Sequence, residues 1–182
     1  AADKTAANGS VTKRVGDFYS AGMDSITIEK RGFSPILPLL HEIDAIGNIA
    51  GVQKMVDHLR TTGAGSPLYG FSVGQDRKNV EIMIPQFSQG GTTLPDRDYY
   101  LKQDGRNPQI QAAYKNYMVK LFSLTGSTKE DAEKNAVTIF ELEKKLANAQ
   151  MSRVEMRDAY KTYNKFLVED LSKTTPGVNF RQ

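Results

Sequence analysis

The chain has 182 residues, 39% hydrophobic and 25% charged, with a formal net charge of +3 and no cysteine. That length fits one domain with a substantial core, and the composition is that of a globular protein. A mild basic excess interleaved with 21 acids argues against a nucleic-acid partner, and the missing cysteines exclude disulfides, zinc-thiolate sites and a thiol nucleophile.

Residues 1–10 are small and polar and read as a flexible segment, followed by one helical domain over 11–182. The start, Ala1-Ala2-Asp3-Lys4-Thr5, has no initiator Met and no hydrophobic core of a signal peptide, which points to a chain cut from something longer. Val11, Val15, Phe18, Tyr19 and Met23 recur at helical spacing, and a short helix through Ile26 and Ile28 should end near Gly32. Ser34-Pro35 reads as an N-cap with Pro at the first helical position. Ile36, Leu39, Leu40, Ile43 and Ile46 then share a face, with Gly47 as the residue past the C-cap. Asn48 is placed to cap a helix through Ile49, Val52, Val56 and Leu59 that stops at Gly63.

Residues 68–101 organise the rest. Tyr69, Phe71 and Val73, then Val80, Ile82 and Ile84, alternate on either side of the polar stretch Gly74-Gln75-Asp76-Arg77-Lys78-Asn79. That pattern predicts a β-hairpin at about 68–87 with one buried face, its second strand ended by Pro85. Gly90-Gly91 leads to Leu94-Pro95-Asp96-Arg97-Asp98-Tyr99-Tyr100-Leu101, a tightly specified turn and helix start.

After the turn Asp104-Gly105-Arg106-Asn107-Pro108, a helix carries Ile110, Ala113, Tyr114, Tyr117, Leu121 and Leu124 on one stripe and stops at Gly126. Ser127 and Glu130 have the spacing of a capping box. The helix they open runs to about Met151, with Ala132, Ala136, Ile139, Phe140, Leu142 and Leu146 facing inward. So short a break makes the two helices an antiparallel pair. Beyond Ser152 the pattern loosens, and residues 165–171 suggest one more short helix before Pro176. The fold class is mainly α: a lobe of antiparallel amphipathic helices with one hairpin. No apolar run approaches the roughly 20 residues of a membrane span.

Candidate chemistry is sparse. His41-Glu42 opens like H-E-x-x-H, but the second histidine position is Ala45, and His58 lies on another helix. Asp96 and Asp98, with Asp104 nearby, have the residue types of an acid/base pair or metal cluster, yet beside Arg97 at a helix start they read as capping and dipole partners. The Gly-rich stretch from Gln89 to Thr93 lacks the Lys-Ser/Thr of a phosphate loop, and no serine sits in G-x-S-x-G. Tyr160 and Tyr163 are expected to pack against the core. No catalytic, cofactor-binding or metal-binding residue is assigned.

Several segments in register carry a resemblance: Gly16-Asp17-Phe18-Tyr19-Ser20-Ala21-Gly22-Met23-Asp24; Pro35-Ile36-Leu37-Pro38-Leu39-Leu40 with Ile43-Asp44-Ala45-Ile46; Asp76-Arg77-Lys78-Asn79; the string from Leu94 to Leu101; Glu141-Leu142-Glu143-Lys144-Lys145-Leu146-Ala147 with Ser152-Arg153-Val154-Glu155; and Tyr163-Asn164. In this order the chain resembles the N-terminal region of the neprilysin-like, PepO-like zinc metalloendopeptidases, peptidase family M13. The resemblance implies a parent that is secreted, periplasmic or membrane-anchored and hydrolyses peptides. One of its two mainly helical lobes holds zinc on H-E-x-x-H and a downstream Glu, and the other covers the cavity and limits access. Metal-activated water, with a Glu as base, would attack the peptide carbonyl.

The present chain is similar to the covering lobe. Its implied partners are the C-terminal catalytic lobe of the same polypeptide and the parent's peptide substrates, and its cofactor is none in this chain, zinc in the parent. The zinc, third-ligand and Asn-Ala substrate motifs have no counterpart here, so no site residue carries over and the piece alone is expected to be inactive. The lack of cysteine is more like bacterial than disulfide-bonded animal members. Two other readings stand beside this one: a free-standing helical module that binds a protein or peptide, and an enzyme working through Asp96, Asp98 or His41.

Overall fold

The computed structural model describes residues 5–175. By internal contacts the chain divides into two compact units, Ala1–Ala45 and Ile46–Gln182.

In the first unit, α1 (Val11–Met23) is capped by Ser10 accepting from the Lys13 amide at 3.1 Å. Asp24 caps α2 (Ser25–Arg31), taking the Thr27 amide at 3.0 Å. Ser34 differs from expectation: it caps nothing and begins a 3₁₀ turn, Ser34–Ile36. The helix proper, α3 (Leu37–Asp44), starts only after it and is over before Ile46 and Gly47. Pro35 and Pro38, three residues apart, supply the reason, since Pro38 cannot donate the backwards bond that would weld the Ser34 turn to α3. No described residue of this unit is buried; Val15, Phe18 and Met23 on α1 are 62%, 85% and 65% exposed.

In the second unit, Asn48 caps α4 (Ile49–Thr61) as expected, accepting from the Gly51 amide at 2.9 Å. The strands β1 (Tyr69–Asp76) and β2 (Asn79–Gln89) pair antiparallel around the two-residue turn Arg77-Lys78. Strand pairing thus reaches much closer to the turn than the polar stretch suggested. Pro85 does not end β2; it pairs with Val73 and the strand continues to Gln89. A hairpin of two strands is all edge, so a residue lacking an N–H is tolerated within it.

The register holds a second correction. Asp76 pairs with Asn79, but Gln75 pairs with Met83, so three residues of β2 are looped into an irregularity. An odd slip exchanges faces. Ile84 therefore falls opposite Gly74, while Met83 and Phe87 join Phe71 and Val73 on the other face. That apolar face is open: Phe71, Val73, Met83 and Phe87 are 42%, 61%, 61% and 46% exposed. The single fully buried residue of the hairpin is Asp76.

The core lies between α5 (Asp98–Leu101), α6 (Asn107–Leu124) and α7 (Lys129–Ala149), around Tyr100, Tyr114, Met118, Ala136, Phe140 and Ala147. Gly126, at φ 95°, supplies the left-handed residue that ends α6. The cap of α7 is Thr128 rather than Ser127: its hydroxyl takes the Asp131 amide at 3.1 Å, one residue later than the sequence pattern indicated. The inward stripes keep the expected Tyr114 on α6 and Ala132, Ala136 and Phe140 on α7 but differ elsewhere. α6 buries Gln111, Tyr114 and Met118, leaving Tyr117, Leu121 and Leu124 exposed. α7 buries Ala132, Ala136, Phe140, Glu143 and Ala147, with Leu142 exposed. A last helix, α8 (Val168–Thr174), begins three residues after Lys165, and Pro176 lies outside the described residues.

Candidate functional site

The segment from Leu94 to Leu101 is tied by side chains to both α6 and α7. Thr92 and Thr93 bring the chain from the hairpin onto α7, where the Glu143 side chain is 7% exposed. One carboxylate oxygen accepts from the Thr93 amide at 3.1 Å and its hydroxyl at 2.8 Å; the other accepts from the Tyr100 hydroxyl at 2.9 Å. That hydroxyl in turn accepts from the Leu94 amide at 2.8 Å. A carboxylate removed from water is tolerable only with such a set of donors. Sequence reasoning passed over Glu143, although Ala136, Phe140, Glu143 and Ala147 follow the 4-3-4 spacing of one helix face. Its place on that apolar stripe was the available signal.

The acids weighed as catalytic each have a local occupation. Asp96 accepts from the Asp98 amide at 2.8 Å and is paired with Arg153. Asp98 pairs with Lys102 at 2.8 Å, and Asp104 accepts from the Asn107 side chain at 3.1 Å. Between them, Arg97 donates to the Gln150 carbonyl at 2.6 Å, just past the end of α7. Gln111, buried on α6, donates to the carbonyls of Tyr99 at 2.8 Å and Lys102 at 3.1 Å, closing the end of α5. The string is a bracket that fastens the hairpin exit to α6 and α7.

Neither buried phenol is prepared for proton transfer. Burial pushes the Tyr100 hydroxyl well above its ordinary range, and pushes Tyr114 up to about 12. A phenol held neutral that firmly is a poor base or nucleophile near pH 7.

The Gly-rich loop is a close approach of backbones. Gly91 sits at φ 78°, and a Cβ there would stand 2.8 Å from both Cα and O of Leu68. The Gly90 carbonyl accepts from Gln150 at 2.9 Å. Both facts describe packing, with no cradle open to a phosphate.

A second polar knot ties the hairpin tip to residues 162–165. Asp76, 1% exposed, accepts from Lys165 Nζ at 2.6 Å, Tyr163 Oη at 2.8 Å and the Lys78 amide at 2.9 Å. The Lys165 ammonium, followed by the Lys78 amide, holds the Asp76 carboxyl down to about 2. Arg77 adds bonds to the Thr162 carbonyl at 2.6 Å and hydroxyl at 3.1 Å. The expectation that these tyrosines pack on the core is therefore corrected: Tyr163 serves the hairpin tip and Tyr160 is 89% exposed. Asp76 has to be buried because Lys165, Tyr163 and the turn all converge on it, which no local pattern announces.

His41 and His58 are exposed residues of α3 and α4. Among the described residues no group of three or more His, Cys, Asp or Glu side chains is arranged to hold a metal ion. Among them, too, no helix is long and apolar enough to cross a membrane.

The sequence matches the family model for the N-terminal region of Peptidase family M13 over residues 1–182. Among curated relatives, rat endothelin-converting enzyme 1 is 30% identical over 98% of this chain and 24% of its own length. Neprilysin-3 of Drosophila melanogaster is 33% identical over 62% of this chain and 14% of its own. The solved zinc metalloprotease ZMP1 of Mycobacterium tuberculosis, in complex with an inhibitor, superposes on 97% of this chain with a TM-score of 0.87 and 30% identity, over 26% of its own length. PepO from a Lactobacillus superposes with a TM-score of 0.74 at 15% identity and shares the fold. The chain spans about a quarter of the length of the endothelin-converting enzyme and ZMP1 chains it matches.

Proposed function

The chain belongs to peptidase family M13, and from that membership we propose that it is the non-catalytic N-terminal, cap portion of a zinc endopeptidase that hydrolyses peptides. In this reading the chain's own contribution is shape. The bracket of Leu94 to Leu101 and the Asp76 knot hold helices and hairpin as a wall that limits entry to the active-site cavity. The metal and the groups acting on substrate belong to the remainder of the parent, which works outside the cytoplasm as a periplasmic, secreted or membrane-anchored enzyme.

The observation that carries this reading is the mismatch of coverage. The chain aligns along nearly its whole length yet accounts for only 26% of ZMP1. The polar clusters around Asp96, Asp98 and Asp104 support it as well, since each of these acids is engaged in folding contacts.

The test is to express the gene together with its downstream codons. A coding sequence that continues into an H-E-x-x-H helix, in a product whose peptide hydrolysis is lost with a chelator and restored by zinc, supports the assignment. A purified 182-residue chain that cleaves peptides by itself overturns it. The access-limiting role is read separately: the full-length enzyme should cut short peptides far faster than a folded protein bearing the same sites. Equal rates would remove that part of the proposal.

A further inference from the structure

We propose that the outer face of α6 is an internal docking surface, covered in the parent enzyme by an amphipathic helix from polypeptide outside residues 1–182. This rests on the reading above, and deepens it by naming a surface at which the two parts meet.

α6 carries two apolar stripes side by side. The first is used: Tyr114 and Met118, with Gln111, are buried in the core beside α5 and α7. The second is Ile110, Ala113, Tyr117, Leu121 and Leu124, at intervals of three, four, four and three residues. At 3.6 residues per turn it lies about a quarter-turn round the helix from the first. Ile110 is half-buried and Ala113 exposed, while Tyr117, Leu121 and Leu124 are 56%, 44% and 62% exposed.

Single apolar groups at a surface need no explanation, but five in helical register do. A helix packed on one side keeps one apolar stripe, and a wider apolar arc belongs to a helix with neighbours on two sides. No charge interrupts the second stripe. From Asn107 to Leu124 the only charged residues are Lys115 and Lys120. Lys115 is turned to the core, its Nζ 4.2 Å over the Phe140 ring, and exposed Lys120 borders the stripe.

Three features select the occupant. The spacing is that of anchors for a helix laid lengthwise. The stripe is about 21 Å long and about 10 Å wide, or about 200 Å², against about 800 Å² per partner in a stable complex of separate proteins. A contact that small is too weak to hold a free partner, whereas a segment of the same chain meets it at high effective concentration. Charge argues against a second copy in particular: α6 against α6 brings lysines together with no acid on either helix. The fitting cover is therefore a helix of the parent with aliphatic or aromatic groups on the stripe and an acid beside Lys120. Its source is the part of the relatives that this chain does not span, the match taking up only 26% of ZMP1.

The experiment uses the full-length parent with p-benzoylphenylalanine replacing Tyr117, irradiated and mapped by mass spectrometry. Intramolecular cross-links to peptides outside residues 1–182 are the expected result. Products of doubled mass would assign the stripe to a second copy and overturn the proposal, as would cross-links confined to residues 1–182 or none at all. Leu124, at the end of the stripe, is the second labelling position should the exchange at Tyr117 prevent folding. Failure of the underlying assignment is seen elsewhere, in a gene with no downstream H-E-x-x-H. A parent that has that helix and yet leaves the stripe without cross-links removes this inference alone.

Discussion

The molecule contains two aromatic clusters built from nearly the same parts and set in opposite surroundings. Tyr100, Tyr114 and Phe140 lie with centroids 5.6 and 6.5 Å apart, and Lys115 stands 4.2 Å over the Phe140 ring. Tyr69, Phe71 and Phe87 lie 5.6 and 5.2 Å apart, with Arg60 over two of them. The first cluster is closed: its three residues are at most 8% exposed and its hydroxyls meet a buried carboxylate. The second has rings 42% and 46% exposed. Ring geometry is therefore no guide to whether an aromatic group supports this fold. Cover is, because the hydrophobic gain scales with apolar area withdrawn from water.

The sharpest way to break that contrast is to truncate one ring from each cluster and compare urea midpoints. Phe140→Ala should cost about 3–5 kcal/mol, the range for emptying a closed core site. Glu143→Ala should cost about 1–3 kcal/mol, because it strands the Thr93 amide and the Tyr100 hydroxyl without an acceptor. Smaller still, Phe71→Ser in the 182-residue chain should cost under about 1 kcal/mol, the range for a ring already 42% exposed. If Phe71→Ser matched Phe140→Ala, the two clusters would be equally structural and the contrast would fall.

Two pH dependences sharpen the same picture. Tyr100 and Tyr114 are held neutral by burial, so the unfolded chain loses these protons near pH 10 while the folded one keeps them. Their contribution is complete below about pH 10 and is lost as pH rises beyond it, which alkaline unfolding of the wild type against Tyr114→Phe would register. Asp76 has the opposite sign. Its carboxyl is depressed to about 2, so its support is present above the unfolded value near 4 and fades as pH falls toward 2. Unfolding of Asp76→Asn followed by circular dichroism should be flatter than wild type across that acid window.

What could be read from sequence followed the range of the interaction. α1 and the Asn48 cap of α4 were legible because helical spacing and caps are local. The mainly α class with one hairpin was legible for the same reason. The register of the hairpin was not, since a three-residue irregularity in β2 leaves the alternation of Val80, Ile82 and Ile84 looking regular while exchanging its faces. On α7 the expected Ala132, Ala136 and Phe140 are buried but Leu142 is not, and on α6 Tyr114 is buried while Tyr117, Leu121 and Leu124 are not, because Glu143 and Gln111, polar by type, occupy core positions. The Asp76 knot was invisible, its partners lying 87 and 89 residues away. Family membership came from segments in register across the chain, a signal that no single residue carries.

The knot at the tip has a consequence for how the chain is made. Asp76 leaves the ribosome 89 residues before the lysine that neutralises it, an interval of about 4 to 18 s at roughly 5–20 residues per second. For that time the turn carries an unpaired carboxylate, better kept in water than buried. Burial of the β-turn, as distinct from its closure, therefore depends on the segment that follows α7, which brings Tyr163 and Lys165 to Asp76.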